Sequence, residues 1–296
     1  MNNGSGQIIK GVGGLYKVEL KDGSIIKCKI RGKIRLDGDV FIGDYVQVSY
    51  DNKGEGIIEK INPRKSQMIR PYVSNIDGII IVVSPIPEPN FLLVDKLIIG
   101  AVEQQITPII CINKPSCDGY AKLCEQIRND YSTLADIIEI DAISGKGSKE
   151  LRQKVKGRFF ALAGQSAVGK STFINQMIGK DIMETGEVSK HNEKGRNVTR
   201  HIEIIKFEDG TKIADTCGFD KLQMPVADPA NLATYFVDFD EFVSGCKFKM
   251  CRHVDEEICG VKKAVKDGKL SKDRYDRYVK LYLESQKRWN TRYDKR

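Results

Sequence analysis

Gly164-Gln165-Ser166-Ala167-Val168-Gly169-Lys170-Ser171 fits G-x-x-x-x-G-K-S, between an apolar strand, Arg158 to Ala163, and a helical stretch, Lys170 to Ile178. No other segment restricts the fold as much. Such a loop works at the end of a buried strand, where glycines let successive N–H groups and a helix N-terminus converge on an anion. It commits the middle of the chain to alternating strands and helices. In that setting Lys170 neutralises phosphate charge, and Ser171, followed by Thr172, offers a hydroxyl to Mg²⁺.

The flanking sequence carries this architecture through. Gly78 to Val83 is a continuous apolar run, expected of a strand buried on both faces. Pro108 to Ile112, Ile137 to Ile140, His201 to Phe207 and Thr211 to Ala214 read as further strands. Phe91 to Val102, Tyr120 to Tyr131 and Lys149 to Val155 read as helices. The alternation predicts a parallel sheet covered on both faces. Ahead of it, Leu15 to Leu20, Ile26 to Ile30, Tyr45 to Tyr50 and Gly56 to Ile61 read as short strands separated by turn residues. Four or five such strands predict a small barrel, because closure removes exposed edges. Lys27, Lys29, Arg31, Lys33 and Arg35 crowd one of its hairpins, a pattern that suits RNA and equally a solvated edge. The expected fold class is α/β in three parts: an OB-type β-barrel over residues 1–70, a P-loop domain over 71–225 and a cysteine-bearing helical unit over 226–296.

Three further motifs surround the phosphate loop. Asp215-Thr216-Cys217-Gly218 follows a strand; its carboxylate would face Mg²⁺ and the Gly218 N–H a γ-phosphate. Residues 186–200 are polar and poorly periodic, the composition of a switch loop, with Thr199 the candidate metal and γ-phosphate contact. Asn113-Lys114-Pro115-Ser116 follows a buried strand and resembles N-K-x-D, the guanine-reading motif of GTPases, with Ser116 where the acid belongs and Asp118 two residues on. Asp141-Ala142 falls where a second base loop would lie. The order is unusual. Both base segments precede the phosphate loop, and the 296-residue chain has no strand–helix run after Gly218 to hold another. A GTPase domain here must be circularly permuted.

Cys246-x4-Cys251-x-His253-x5-Cys259 supplies three thiolates and an imidazole, a closed set for structural zinc. Its surroundings, with Lys247, Lys249, Arg252, Asp255 and Glu256, are too polar for a cluster of ordinary core cysteines. The remaining cysteines are scattered, consistent with free thiols in a reducing compartment. Beyond the cluster, residues 261–296 hold 13 Lys plus Arg against 5 Asp plus Glu, a difference of +8 that equals the net charge of the whole chain. Tyr275, Tyr278 and Tyr282 share one helical face suited to packing on the zinc segment. Lys287, Arg288, Trp289, Arg292, Lys295 and Arg296 form the most RNA-like patch. The chain is 30% charged, and no apolar run approaches the ~20 residues that span a bilayer. Its N-terminus lacks the basic start and apolar core of a signal peptide. A soluble, cytoplasmic monomer with no membrane partner is expected.

Taken together, IRPYVSNIDGIIIVVS, CINKPS, GQSAVGKST, GRNVTRH, IADTCGF and CKFKMCRHVDEEIC make the chain resemble the RsgA (YjeQ) family of ribosome small-subunit-dependent GTPases over nearly its whole length. The resemblance implies hydrolysis of Mg²⁺-bound GTP to GDP and phosphate, stimulated by the small ribosomal subunit during its late maturation, contact with rRNA, and one structural Zn²⁺. It implies base contacts from Asn113, Lys114, Pro115 and Ser116, and catalytic roles for Lys170, Thr199, Asp215 and Gly218. Three positions depart from the family's pattern: Ser116 for Asp, Asn197 for a switch-loop His, and Cys217 for Pro; Phe219 stands where Ras-like proteins carry a water-orienting Gln, which the family also lacks. Slow unassisted hydrolysis follows. Two other readings stay open: an RNA-binding assembly factor that hydrolyses little, favoured by Ser116 and Asn197, and an ATP-using P-loop enzyme, since the phosphate loop does not choose the base.

Overall fold

The computed structural model describes residues 2–30, 39–69, 71–178, 202–216, 222 and 228–291. Its N-terminal strands are β1 (Asn2–Val12), β2 (Leu15–Leu20), β3 (Ile25–Ile30), β4 (Tyr45–Tyr50) and β5 (Glu55–Ile61). Alternation settles which side chains enter the interior: Val18, Leu20, Ile26, Cys28, Val46, Val48 and Ile58 are buried, and Lys17, Lys27 and Lys29 are exposed between them. β1 was not anticipated, because NNGSGQIIKGV neither alternates nor favours strands. It forms because two partners claim it. Residues 2–7 pair with β4 and residues 6–12 with β2. With β3 parallel to β5 and β5 antiparallel to β4, the ring closes into a five-stranded barrel.

A short hairpin, β6 (Gln67–Ile69) and β7 (Tyr72–Ser74), leads out of the barrel. Its anchor is Asp44, fully buried and satisfied by the Arg64 guanidinium, the Ser74 hydroxyl and the Phe41 N–H. A buried carboxylate persists only with such partners.

The central domain contains β8 (Gly78–Val83), β9 (Thr107–Ile112), β10 (Asp136–Glu139), β11 (Phe159–Gly164), β12 (Ile202–Lys206) and β13 (Lys212–Asp215), in spatial order β10-β9-β8-β11-β13-β12. All neighbours are parallel except β12 and β13. Every residue of β8 and of β11 is buried, as the apolar runs predict. Ile79 and Ile81 belong to the cluster under α1 (Phe91–Glu103) and α2 (Tyr120–Tyr131); Ile80 and Val82 to that under α3 (Ser148–Val155) and α4 (Lys170–Ile178). The permutation is visible here. The phosphate-loop strand β11 is central, yet the base-loop strands β9 and β10 on its flank precede it in the chain.

Two joints tie the parts together. β1 pairs with β12 through Lys10 opposite Glu203 and Gly11 opposite Ile202, so barrel and central sheet are one continuous eleven-stranded sheet. The C-terminal unit comprises 3-10 segments Pro229–Tyr235 and Val237–Gly245 and helices α5 (Gly260–Lys266) and α6 (Lys272–Asn290). It docks on α1 around Ile99, Phe236, Phe239, Tyr278 and Leu281. Beside this apolar contact, Asp95 of α1 pairs with Arg274 and Arg277 of α6, each at 2.6 Å, and Arg277 also reaches Asp130 of α2 at 2.7 Å. These two arginines therefore leave the RNA-facing count that the tail's composition suggests. No helix among the described residues is long and apolar enough to cross a membrane.

Candidate nucleotide site and metal centre

The phosphate loop joins β11 to α4 at the carboxyl edge of the parallel strands, where open α/β sheets place their ligands. Val168 is buried and pins the loop; Ser166 and Ala167 are exposed along its rim, and Ser171 and Thr172 are half-buried at the helix start. Lys170 is buried, its ammonium on the carbonyls of Gly164 at 3.0 Å and Gln165 at 2.5 Å, a pose that folds it back along the loop. Gly169 is required on two counts. Its φ is +95°, and a Cβ there would lie 2.3 Å from Asn113 Nδ2.

That neighbour is the base segment. Asn113 is buried, donates to Val168 O at 2.9 Å, and accepts from Ala142 N–H at 3.0 Å. One amide thus holds the phosphate loop and the 141–145 loop at fixed separation. Lys114, with φ +63°, donates to Ala167 O at 2.7 Å and Ile86 O at 2.6 Å. Pro115 is half-buried and Ser116 exposed. The fold therefore brings Asn113–Ser116, Asp141-Ala142 and Gly164–Thr172 together from distant parts of the chain, as the motifs require.

Sequence reasoning missed a brace on this site. Gln165 accepts from Asn90 N–H at 2.7 Å and donates to Glu88 O at 3.1 Å, while Asn90 caps α1 by accepting from Leu93 N–H. No spacing rule signals a bond between residues 75 apart. The Asp95 network had a signal, an acid inside the apolar helix FLLVDKLIIGAVE.

Asp215 ends β13. Its Oδ1 is buried without a hydrogen-bond partner among the described residues. Burial pushes its carboxyl up to about 6, against the opposing pull of Lys170 and the Thr216 N–H. An orphaned carboxylate oxygen beside a phosphate loop fits a cation bound with nucleotide, and Asp215 with Ser171 could hold it. Thr199, Asn197, Cys217, Gly218 and Phe219 lie outside the described residues, as do Arg31, Lys33, Arg35, Arg292, Lys295 and Arg296.

In the C-terminal unit the donor atoms of Cys246, Cys251, His253 and Cys259 all lie within 4.8 Å of one another. Cys246 Sγ is 3.9 Å from Cys259 Sγ, close to the sulfur separation of about 3.8 Å implied by tetrahedral zinc–thiolate bonds. His253 Nδ1 is 3.6 Å from Cys246 Sγ and 3.3 Å from Cys259 Sγ. Backbone N–H groups already point at the sulfurs, Gly260 at Cys246 and Lys262 at Cys259. Gly260 has no alternative, since a Cβ would lie 1.9 Å from Phe242 O. Burial pushes the Cys251 thiol up to about 12, so the pocket by itself does not ionise it; a divalent metal would. Donor set and spacing fit zinc, with no open position for catalysis.

Comparison with known proteins follows the same lines. The model of the RsgA N-terminal domain matches residues 5–58 and that of the RsgA GTPase residues 61–225. A protein of Ruminiclostridium cellulolyticum named small ribosomal subunit biogenesis GTPase RsgA is 38% identical over 284 residues, covering 94% of this chain and 92% of its own. One of the same name from Clostridium kluyveri is 39% identical, covering 94% and 97%. Among solved structures, YjeQ from Thermotoga maritima superposes with a TM-score of 0.76 at 31% identity, over 96% of this chain and 99% of that one. YloQ, described as a circularly permuted GTPase, gives 0.71 at 28% identity, over 97% and 96%. Identity at this level, sustained from barrel to C-terminal unit and joined to the permuted strand order, means that the chain belongs to the RsgA family of circularly permuted GTPases.

Proposed function

We propose that the chain hydrolyses GTP to GDP and phosphate and assists maturation of the small ribosomal subunit, bound to its rRNA, as a cytoplasmic monomer built from parts divided near residues 70 and 225. The observation that carries this reading is the Asn113 amide, which joins the phosphate loop to both base-side segments in a permuted domain. Lys170 supplies positive charge to the phosphates, and the N–H groups of residues 164–171 line up on them as charge develops. Ser171 and Asp215 would hold Mg²⁺, which when bound neutralises phosphate charge; Thr199 and Gly218 are the proposed γ-phosphate contacts. Water then attacks in line. Cys246, Cys251, His253 and Cys259 would hold Zn²⁺ as a structural ion.

Lys17 and Lys27 stand directly opposite each other on the barrel's outer surface, next to Lys29. Glu55 faces Lys27 from the other side, and the exposed basic row that remains supports a polyanion such as rRNA on this face. Ser116, exposed and uncharged, favours the second reading of an assembly factor that hydrolyses little. Phosphate release from GTP and from ATP, with and without purified small subunits, separates the readings. Slow GTP turnover that accelerates with subunits is expected. Tight subunit binding with no turnover establishes the assembly factor, and equal use of ATP removes the guanine reading.

A further inference from the structure

Guanine is told from other bases by an edge that donates twice, through N1–H and the N2 amino group. A side chain that pairs with both must accept twice, as a carboxylate does. Ser116 offers a single hydroxyl at the position where that acceptor is expected. The inference below rests on the guanine-nucleotide reading and asks which residue replaces the missing acid.

Among the described residues, Glu139, Asp118 and Asp141 are the carboxylates at the carboxyl end of β10 and on the loops that follow β9 and β10. Glu139 is engaged by Arg128 and by the Tyr120 hydroxyl. Asp118 is exposed at the approach to α2, beyond the turn in which Cys117 N–H bonds Lys114 O. Asp141 is placed differently. Ile140 N–H bonds Ile112 O, which carries the β9–β10 pairing up to the base segment, and the next contact is Ala142 N–H on Asn113 Oδ1. Asp141 is therefore flanked by two residues fixed to the strand that ends in the base segment, Ile140 on Ile112 and Ala142 on Asn113.

We propose that Asp141 is the residue that reads the guanine edge in this chain, its carboxylate taking the role that Ser116 cannot fill. The loop that carries it is closed on itself: Asp141 N–H bonds Lys146 O, and Gly145 N–H bonds Asp141 O. Within the loop, Asp141 Oδ1 accepts from Ile143 N–H at 3.0 Å and Oδ2 from the Ser144 hydroxyl at 2.7 Å. A carboxylate has about four acceptor positions. The Ile143 N–H and the Ser144 hydroxyl fix its orientation, one on each oxygen, and the half-exposed carboxylate keeps an accepting edge of the kind guanine's two donors need. The Ser144 hydroxyl first, then the Ile143 and Ser144 N–H groups and the Lys146 charge, hold its carboxyl below the usual range, so it is ionised at neutral pH. Ile143 beside it is 88% exposed, an apolar side chain that a planar base would cover.

The test is equilibrium binding of fluorescent GDP, XDP, IDP and ADP to the full chain with Mg²⁺. The wild type is expected to prefer GDP over IDP, which lacks the N2 amino group. Asp141→Asn is expected to weaken GDP about 10- to 100-fold, the size of a lost bidentate pair, and to tighten XDP, whose O2 accepts from the Asn amide. Asp118→Asn is expected to change neither. An unchanged GDP preference in D141N, or a reversal produced by D118N instead, overturns the assignment. If D141N binds no nucleotide, the exchange Asp141→Ser with Ser116→Asp decides: restored GDP preference supports the assignment, and none overturns it. A wild type that binds ADP as well as GDP would overturn the guanine reading itself, a separately recognisable result.

Discussion

A carboxylate at the end of β13 is pulled two ways. Burial favours the neutral form of Asp215, while Lys170 and the Thr216 N–H favour the charged one, and burial prevails. The folded-state value of about 6 stands above the ordinary 3.8. Its contribution to the stability of the ion-free chain is therefore complete below the ordinary value and lost as pH rises through about 6. Nucleotide with Mg²⁺ needs the opposite, ionised form. Affinity for Mg²⁺-GDP is thus expected to rise from about pH 5 to about pH 7, and Asp215→Asn to weaken binding and flatten that step. Calorimetric titration across this range checks it; a wild-type affinity indifferent to pH would remove Asp215 from the site. The motif residues were legible because phosphate chemistry dictates both type and spacing. Gly169 is instructive: the motif demands it for the loop, and the structure adds Asn113 as a second reason. The Gln165–Asn90 bond was not legible, since it depends on where a helix from another part of the sheet begins.

Among elements, α6 joins two chemistries on one helix. Its aromatic stripe was readable from spacing, and Tyr278 and Tyr282 are buried as the 3.6-residue period implies. Tyr278 meets Phe236 at 4.8 Å and Phe239 at 5.0 Å, and the Tyr275 hydroxyl donates to His253 O at 2.8 Å. Arg274 and Arg277 looked like surface charge because their partners lie 179 and 182 residues away on Asp95. The strand β1 was missed for a related reason: its stability comes from pairing with β2 and β4 rather than from its own residues. The zinc loop, by contrast, has no helix or strand of its own between residues 246 and 259 and leans on its donor set and on side-chain bonds from α5 and α6. A chelator is expected to raise hydrogen exchange across residues 246–259 and at the start of α5, whose cap is Cys259. Protection in β8 and β11 should persist, because their cores do not include the cluster. Uniform protection of 246–259 after complete metal removal would show that packing alone orders the loop.

At the scale of the molecule, nothing separates the three parts cleanly. The barrel continues the central sheet through β1 and β12, and α1 is shared: Leu93, Leu97 and Ile98 face the sheet, while Ile99 enters the C-terminal cluster. Gln165 holds the first turn of α1 by Asn90, and one turn further Asp95 holds α6. Lys96 adds a bond to Leu222 O at 2.9 Å and a pair with Glu284 of α6 at 2.8 Å, so α1 also touches the stretch beyond Asp215. The C-terminal unit is therefore mounted on a helix whose other end is fixed to the phosphate loop. Asp95 is the joint to cut, because it is fully buried, and removing its charge leaves Arg274 with Asp238 and Arg277 with Asp130 as their remaining carboxylates. Breaking a buried pair from one side costs about 3–5 kcal/mol. The single tryptophan, Trp289, lies on α6 and reports the C-terminal unit alone. In urea, tryptophan fluorescence and far-ultraviolet dichroism should give coincident transitions for the wild type. For Asp95→Asn the fluorescence transition should move to lower urea and separate from the dichroism, as the C-terminal unit releases before the sheet melts. Coincident transitions in the variant would mean that the apolar contact of Ile99 with Phe236 and Leu281 mounts the unit without the ion pairs.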